Sequence, residues 1–330
     1  MPRAVIGREF GPPDRYRLED HDPGPPGAGE VRVAVRAAAI SYVDVLTAMG
    51  QYQFKPELPF IPGSEYAGIV EAVGEGVTHL AVGDQVFGSS LGGVFAERVN
   101  FPARNVRKMP GGMSFAEAAA FPVNTMTAWH ALVDRGRLQP GEALLVLGAA
   151  GGTGYAAVQL GKHLGARVIA SASSAEKRDA ALAGGADAVV QTGAADWRDQ
   201  VKAAAGGRPI DVVFDSVGGE ATEAAFRTLG YGGRHLVVGF PAGIPALKTN
   251  FALLKCASLV GVNLRSFGLE RPQEAAANSA KVFELAAQGL LRPRIARTYA
   301  IEDFAAAMND AFSGRSAGRV ILAMGAKLAG

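Results

Sequence analysis

The sequence has few of the residues that build disulfides and metal centres. A single cysteine, Cys256, excludes a disulfide within the chain, which fits a reducing compartment, and we expect a cytoplasmic location. Cys256 lies in an apolar run, where packing is a better interpretation than nucleophilic chemistry. The five histidines show no metal-ligand spacing. They are His21, His79, His130, His163 and His235.

The sequence also lacks a strong charge imbalance and long apolar runs. Its 33 basic and 31 acidic residues give a net charge of +2, which does not suggest a nucleic-acid or membrane surface. No apolar stretch approaches the roughly 20 residues that span a bilayer, and the first residues do not resemble a signal peptide. With 48% hydrophobic residues, the 330-residue chain has the composition of a globular protein with room for two domains.

One supersecondary unit is clear, between positions 142 and 172. The apolar run 143–147 predicts a buried strand, a turn of small residues follows at 148–154, and the next residues have helical spacing. Gly165 ends that helix and 167–170 predicts a second strand. The order strand, glycine turn, helix, strand indicates a βαβ unit.

The glycine turn predicts a dinucleotide site. Gly151 would let the backbone approach a pyrophosphate, and Gly154 would let the helix pack closely on the strand. The first N–H groups of the helix would then face the phosphates. Because Ala149 replaces the first glycine of the fingerprint, an ordinary tight turn remains the alternative interpretation.

The end of the second strand indicates which coenzyme is preferred. The acid that would bind a ribose 2′-hydroxyl is replaced by the segment 171–174, Ser-Ala-Ser-Ser, and Lys177 and Arg178 follow. Hydroxyls and cations suit a 2′-phosphate, so we expect NADPH. The alternative is that both cations lie on a solvated helical turn.

The chain has two regions with different patterns of predicted secondary structure. Short β-branched runs with Gly/Pro turns up to about residue 110 favour a partly open barrel or sandwich. From Ser114, which forms a capping box with Glu117, strands and helices alternate and predict a doubly wound parallel sheet, an α/β fold. The predicted strands of that sheet are 143–147, 167–171, 187–190, 211–214, 234–239 and 259–264. The tail, with helices at 273–288 and 301–312 and strands at 294–299 and 319–322, should return to the first domain.

Several local motifs occur together in a fixed order. They are SYVD at 41–44, PGSEYAG at 62–68, TAW at 127–129, AAGGTG at 149–154, DSVG at 215–218, VVGF at 237–240 and GRVIL at 318–322. Together they resemble the medium-chain dehydrogenase/reductase superfamily, and within it the zinc-independent, zeta-crystallin-like NADPH:quinone oxidoreductases. The resemblance implies a Rossmann NADPH-binding domain at 124–265. It also implies a GroES-like, mostly β catalytic domain formed by 1–123 and 266–330.

The resemblance places Ser41 and Ser64 where zinc-dependent members have metal ligands. A serine hydroxyl is a poor ligand beside thiolate or imidazole, so we expect no zinc. Glu65 is then interpreted as a member of a structural ion pair. Without a metal to polarise a carbonyl, hydride addition to a quinone or a conjugated C=C bond becomes easier than alcohol oxidation.

The resemblance also implies a site. The coenzyme contacts would be Thr127 near the nicotinamide, then Ala150, Gly151, Gly152, Thr153, Gly154, Tyr155, Ser173, Lys177, Thr192, Gly218, Gly239, Phe240, Val262, Asn263 and Leu264. The catalytic side would comprise Ser41, Asp44, Tyr52 and Thr127. Simpler interpretations stay open: Ser41 bonded to backbone, Asp44 capping a helix at 45–49 or paired with an arginine, and Tyr52 and Tyr42 as wall aromatics whose hydroxyls reach water.

The leading hypothesis is an NADPH:quinone reductase, with Tyr52 as the candidate proton donor. The alternatives are an NADPH-dependent reductase of activated alkenes, such as enals or enoyl thioesters, and a non-enzymatic NADPH-binding protein. The apolar strand near 259–264 would be a sheet edge, and we expect a homodimer because exposed apolar edges are usually paired.

Overall fold

The structure, a computed structural model, describes residues 1–325. Its strands are β1 (Arg3–Ile6), β2 (Arg17–Asp20), β3 (Glu30–Ile40), β4 (Glu65–Val73), β5 (Gln85–Ser89), β6 (Arg98–Pro102), β7 (Val106–Lys108), β8 (Ala143–Leu147), β9 (Arg167–Ala172), β10 (Ala188–Gln191), β11 (Ile210–Asp215), β12 (Leu229–Val237), β13 (Ser258–Gly261), β14 (Ile295–Ala300) and β15 (Arg319–Ala323). Its α-helices are α1 (Tyr42–Ala48), α2 (Phe115–Ala120), α3 (Pro122–Trp129), α4 (Gly152–His163), α5 (Ala175–Ala183), α6 (Trp197–Ala204), α7 (Glu220–Phe226), α8 (Asn250–Lys255), α9 (Leu264–Glu270), α10 (Pro272–Ala287) and α11 (Phe304–Ser313).

The contacts divide the chain into two compact units. The first unit is Met1–Val123 together with the chain from Pro293 on, and the second unit is Asn124–Arg292. The division after Val123 coincides with the predicted one. The second division follows Arg292 rather than residue 265, so the segment 266–292 lies in the second unit and not, as predicted, in the first.

Side-chain contacts explain why the segment 266–292 stays in the second unit. Asn278 on α10 donates to the Asp134 carboxylate across 2.8 Å. Phe267 on α9 stacks on His130, with ring centroids 4.2 Å apart. His130 and Asp134 belong to a π-helical segment, His130–Arg135, that continues α3. These contacts bury one face of α10 within the second unit.

The first unit is built on a mixed sheet in the order β14-β15-β3-β4-β5-β7, with β6 also paired to β3. Strand β3 is its centre, and Val31, Val33 and Val35 on one face of it are buried because side chains alternate along a strand. Strand β15 pairs antiparallel with β3, and β14 pairs parallel with β15. The tail strands therefore return to this sheet as predicted.

The second unit contains the predicted doubly wound sheet. Its six parallel strands are ordered β10-β9-β8-β11-β12-β13. All five residues of β8 are buried, as expected for a strand covered on both faces. The strand order reverses between β8 and β11, and the crevice at the carboxyl ends of these strands is where such folds bind ligands.

Three local predictions need correction. Helix α1 begins at Tyr42 and its N-cap is Ser41, so the alternative in which Asp44 caps a helix beginning at Val45 is wrong. Strand β13 ends at Gly261, so the predicted strand 259–264 is too long at its carboxyl end. Cys256 is exposed, with φ of 49°, because it ends α8 in the left-handed conformation rather than packing in a core.

One further local prediction, the capping box before α2, is confirmed. Ser114 and Glu117 form the expected capping box at the start of α2. Among the helices of residues 1–325, none combines the length and the apolar character that crossing a bilayer requires.

Candidate active site

The glycine turn after β8 has the geometry of a phosphate cradle. Gly151 is the N-cap of α4, and no side chain caps the helix there. Within residues 1–325, the N–H groups of Gly152, Thr153 and Gly154 have no backbone carbonyl partner. A side chain at Gly154 would collide with the Gly148 carbonyl oxygen, so only glycine allows this approach of helix and turn. Free N–H groups at the start of a twelve-residue helix suit a pyrophosphate.

The loop after β11 forms the other side of this crevice. The Ser216 hydroxyl donates to the carbonyl oxygen of Leu147 at the end of β8, across 3.1 Å. A methyl group on Gly148 would lie 2.9 Å from Cγ2 of Val217. The two loops at the strand-order reversal are therefore packed directly on one another.

Helix α3 brings a further side chain to the turn. The Thr153 hydroxyl donates to the Asn124 side-chain oxygen across 2.8 Å. Thr127 lies three residues beyond Asn124 on α3, so both are on one face of that helix. Thr127 is half-buried, whereas Asn124 is buried. The structure thus places Thr127 on the face of α3 that meets the glycine turn.

The predicted 2′-phosphate residues gather at the carboxyl ends of β9 and β10. The Ser174 hydroxyl caps α5 by accepting from the Lys177 N–H, and Ser173 is exposed beside it. The Thr192 N–H donates to the Ala172 carbonyl across 3.1 Å. Burial lowers the pKa of Lys177, and the charge of Glu176 opposes this shift. A second anion near Lys177 would therefore favour its charged form.

Two hydroxyl groups near this cluster, those of Thr192 and Ser171, are already hydrogen-bonded within the protein. The Thr192 hydroxyl lies 2.8 Å from that of Ser171, which also accepts from the Trp197 indole N–H across 3.0 Å. Arg178 points back toward the carbonyl oxygens of Ala172 and Ser173, each 3.5 Å away.

The remaining predicted coenzyme residues occupy the ends of β11 to β13. A side chain at Gly218 would collide with Phe240, and the Gly239 N–H donates to the Asp215 carbonyl, so these loops are in contact. The Val262 N–H continues the sheet toward the Val237 carbonyl across 3.0 Å. Asn263 caps α9, which begins at Leu264.

In the first unit, Ser41 and Asp44 form a capping box. The Asp44 carboxylate accepts from both the N–H and the hydroxyl of Ser41, each across 2.7 Å, and the Asp44 N–H donates to the Ser41 oxygen across 3.0 Å. Burial raises the pKa of Asp44, and hydrogen bonds from Ser41 and Ser64 reduce the rise. The two serines expected at metal-ligand positions are thus both bonded to one buried carboxyl.

Glu65 and Arg319 form the ion pair that the sequence suggested for Glu65. Arg319 Nη2 lies 2.6 Å from Glu65 Oε2, and the Val123 N–H donates to the other oxygen of Glu65. Both side chains are buried. Burial raises the pKa of Glu65 above its usual value, and the charge of Arg319 opposes this rise without cancelling it.

The two tyrosines of this region differ. Tyr42 stacks on Phe312, with ring centroids 4.9 Å apart, so it packs against another aromatic side chain. Tyr52 is half-buried in the irregular segment that follows α1.

Within residues 1–325, no three His, Cys, Asp or Glu side chains are grouped as they would be around a metal ion.

Sequence reasoning missed three partners at these sites. Asn124, Arg319 and His235 bond Thr153, Glu65 and Asp215 respectively. A titratable residue within the apolar run after Arg234 was a usable signal for His235. No local pattern identified the other two.

Comparison with known proteins decides the family. Residues 152–281 match the zinc-binding dehydrogenase family, and residues 27–111 match the alcohol dehydrogenase GroES-like domain. The chain is 32% identical to the quinone oxidoreductase of Homo sapiens over 323 residues, which covers 97% of each chain. The chain belongs to the medium-chain dehydrogenase/reductase superfamily. This confirms the predicted combination of a Rossmann sheet and a GroES-like domain, in a quinone oxidoreductase-like member of the superfamily.

The chain is also similar to part of a much longer protein and to solved structures of about its own length. The chain is 40% identical over 308 residues to the pikromycin polyketide synthase component PikAII of Streptomyces venezuelae, but it covers only 8% of that protein. The solved structure of mycobacterial Rv1454c complexed with NADPH has a TM-score of 0.88 and 29% identity, covering 98% of this chain and all of that one. The CurK enoyl reductase has a TM-score of 0.88 and 26% identity, covering 98% of this chain and 99% of that one.

Proposed function

We propose that this oxidoreductase transfers a hydride from NADPH to a quinone without a metal ion. The observation that carries the proposal is the bonding of Ser41 and Ser64 to Asp44. Neither hydroxyl competes well for zinc, and both are engaged with a buried carboxyl. A substrate that delocalises its own developing charge suits such a site.

The residues of the second unit fit NADPH. The free N–H groups of Gly152, Thr153 and Gly154 would hold the pyrophosphate, and Ser173 and Lys177 would hold the 2′-phosphate. Thr192, which is exposed at the end of β10, would lie beside the same phosphate. When bound, NADPH supplies the hydride. A neighbour solved with NADPH supports this choice of coenzyme.

The chain's own part in the reaction is mainly orientation. Holding donor and acceptor at near-attack distance is worth up to about 7–11 kcal/mol of the barrier. Thr127, on the face of α3 beside the glycine turn, would orient the coenzyme. Quinone reduction can take its protons from water, and Tyr52 is the side chain we propose as a donor if the protein supplies one.

A second candidate is reduction of an activated alkene. The specific observation is the likeness to the CurK enoyl reductase over 98% of this chain. An enal or an enoyl thioester also accepts hydride without a metal ion, because its conjugated carbonyl takes the developing charge.

The experiment that separates these reactions is an acceptor panel. NADPH oxidation is followed with a benzoquinone, a naphthoquinone, an enal and crotonyl-CoA, each with and without enzyme. Turnover of the quinones alone supports the proposal, and turnover of the enal or thioester alone replaces it with alkene reduction. NADPH binding without turnover of any acceptor would favour a non-enzymatic binding protein.

We also infer that two copies of this chain pair through β13, in the cytoplasm. Strand β13 is at the end of its sheet. Leu259 on it is 54% exposed, and Leu253 and Leu254 on α8 are 78% and 74% exposed. An apolar sheet edge of this kind is normally covered by another strand.

A further inference from the structure

A fully buried polar cluster lies behind the coenzyme crevice. His235 on β12 has no exposed surface, and its Nε2 lies 3.0 Å from Oδ2 of Asp215 at the end of β11. The Thr222 hydroxyl on α7 donates to the same oxygen across 2.6 Å. Two donors from two further elements thus converge on one carboxylate oxygen.

The other oxygen of Asp215 shapes the loop that follows it. Oδ1 accepts from the N–H of Val217 across 3.0 Å and from that of Gly218 across 2.9 Å. Gly218 has a φ of +74°, a conformation that favours glycine. The carboxylate therefore bonds two successive N–H groups of a turn whose left-handed residue is glycine.

The protonation of the pair follows from its chemistry. Burial opposes the charged form of Asp215, but hydrogen bonds from His235, the Gly218 N–H and Thr222 lower its pKa below the usual value. A carboxylate only accepts hydrogen bonds, so Nε2 of His235 carries the hydrogen that it shares with Asp215. Nδ1 of His235 is then buried without a partner in the part of the chain that the structure describes. A buried nitrogen without a hydrogen-bond partner destabilises the folded state. The hydrogen bond from Nε2 to Asp215 stabilises it.

The loop held by this cluster belongs to the crevice. Ser216 bonds the Leu147 carbonyl and Val217 packs on Gly148, both at the end of β8. The proposed 2′-phosphate residues follow β9, on the other side of the strand-order reversal. The loop at 216–219 therefore lies on the half of the crevice that is left for the nicotinamide.

We propose that His235 is a positioning residue for the nicotinamide half of the coenzyme, acting through Asp215 on the loop at 216–219. The inference rests on the proposed NADPH function and assigns one buried residue a role in it. His235 touches no coenzyme atom. Its role is to keep the Asp215 carboxylate oriented so that the Val217 and Gly218 N–H groups stay bonded and the loop keeps its shape.

Two amide substitutions test this role because they resemble different nitrogens of histidine. In His235→Gln, the amide nitrogen is as many bonds from Cα as Nε2, so it can still donate to Asp215. In His235→Asn, the amide nitrogen corresponds to Nδ1 and falls short of Asp215. Both variants bury a polar amide, so a merely structural role predicts similar effects for the two.

The experiment measures dissociation constants for NADPH and for 2′,5′-ADP, which carries only the adenosine half. We expect His235→Asn to weaken NADPH binding about tenfold, while His235→Gln stays close to wild type. Binding of 2′,5′-ADP should be equal in all three proteins, which also shows that the second unit is folded. Thr222→Val removes the other donor to the same oxygen and should weaken NADPH binding in the same direction, which covers the case in which His235→Asn does not fold.

Three results would overturn the inference. His235→Asn binding NADPH as tightly as wild type is the first, and equal weakening in the Gln and Asn variants is the second. Equal loss of NADPH and 2′,5′-ADP binding in both His235→Asn and Thr222→Val, which indicates general damage to the unit, is the third. If the wild-type protein binds neither probe, the proposed NADPH function is overturned as well.

Discussion

Arg319 and Glu65 are 254 positions apart in sequence, yet Nη2 of the one donates to Oε2 of the other across 2.6 Å. The pair joins β15, near the end of the chain, to the start of β4. Both side chains are buried, so each charge depends on the other for compensation. This contact links the returning tail to β4, in addition to the backbone pairing of β15 with β3.

Removing one member of the pair should destabilise the protein strongly. We expect Glu65→Gln or Arg319→Met to lower the free energy of unfolding by about 3–5 kcal/mol, because the remaining polar group stays buried and poorly compensated. Urea denaturation measures the change. The double variant Glu65→Leu/Arg319→Met should lose clearly less than the sum of the single losses. Single variants as stable as wild type would contradict the ion-pair interpretation.

Asp44 should make stability depend on pH with a defined sign. Burial raises its pKa in the folded state above the usual value of 3.8. A carboxyl whose pKa is higher in the folded state contributes stability below pH 3.8, and that contribution is lost as pH rises through the folded value. Asp44→Asn keeps an oxygen acceptor for Ser41 but cannot ionise.

The difference in unfolding free energy between Asp44→Asn and wild type should therefore move in favour of the variant as pH rises from about 4 to about 7. Denaturant unfolding at several pH values measures this difference. A difference that stays constant with pH, or moves in favour of wild type, would show that Asp44 does not have a raised pKa in the folded protein.

Lys177 should discriminate between the two coenzymes. We expect Lys177→Ala to raise the KM for NADPH about tenfold and to leave the KM for NADH nearly unchanged, because only NADPH carries the 2′-phosphate. Initial-rate kinetics with both coenzymes measure the effect, and Lys202→Ala on α6 is the control for loss of a surface charge. Equal effects on both coenzymes would place Lys177 outside the phosphate site.

Formation of the proposed dimer should depend on the exposed apolar residues of β13. Leu259→Arg puts a charge on that strand and should convert a dimer into a monomer at micromolar concentration, as measured by sedimentation equilibrium. Leu269→Arg changes another exposed leucine, on α9 outside the strand, and should leave the dimer intact. A wild-type chain that sediments as a monomer would refute the pairing.

Local signals in the sequence predicted the glycine turn after β8 well. The apolar run 143–147 coincides with β8, and the glycines that follow it begin α4. These features depend on neighbouring residues only: burial of a short strand, and the close approach that Gly154 allows. The alternation of strands and helices could be predicted for the same reason, because each βα repeat has its own apolar run and turn.

Contacts between distant residues were harder to predict. The helix at 273–288 was predicted, but its place in the second unit depends on the Asn278–Asp134 hydrogen bond across 144 positions. His235 is visible in the sequence as a titratable residue in an apolar strand. Its partner Asp215 follows only from the pairing of β11 with β12.

Hydride transfer from NADPH to a quinone should proceed in this protein without a metal ion. The most direct test is the initial rate of NADPH oxidation with a naphthoquinone, before and after exhaustive treatment with a strong chelator. We predict the same rate in both, with no increase when zinc is added back. Loss of the rate on chelation, restored by zinc, would contradict the claim.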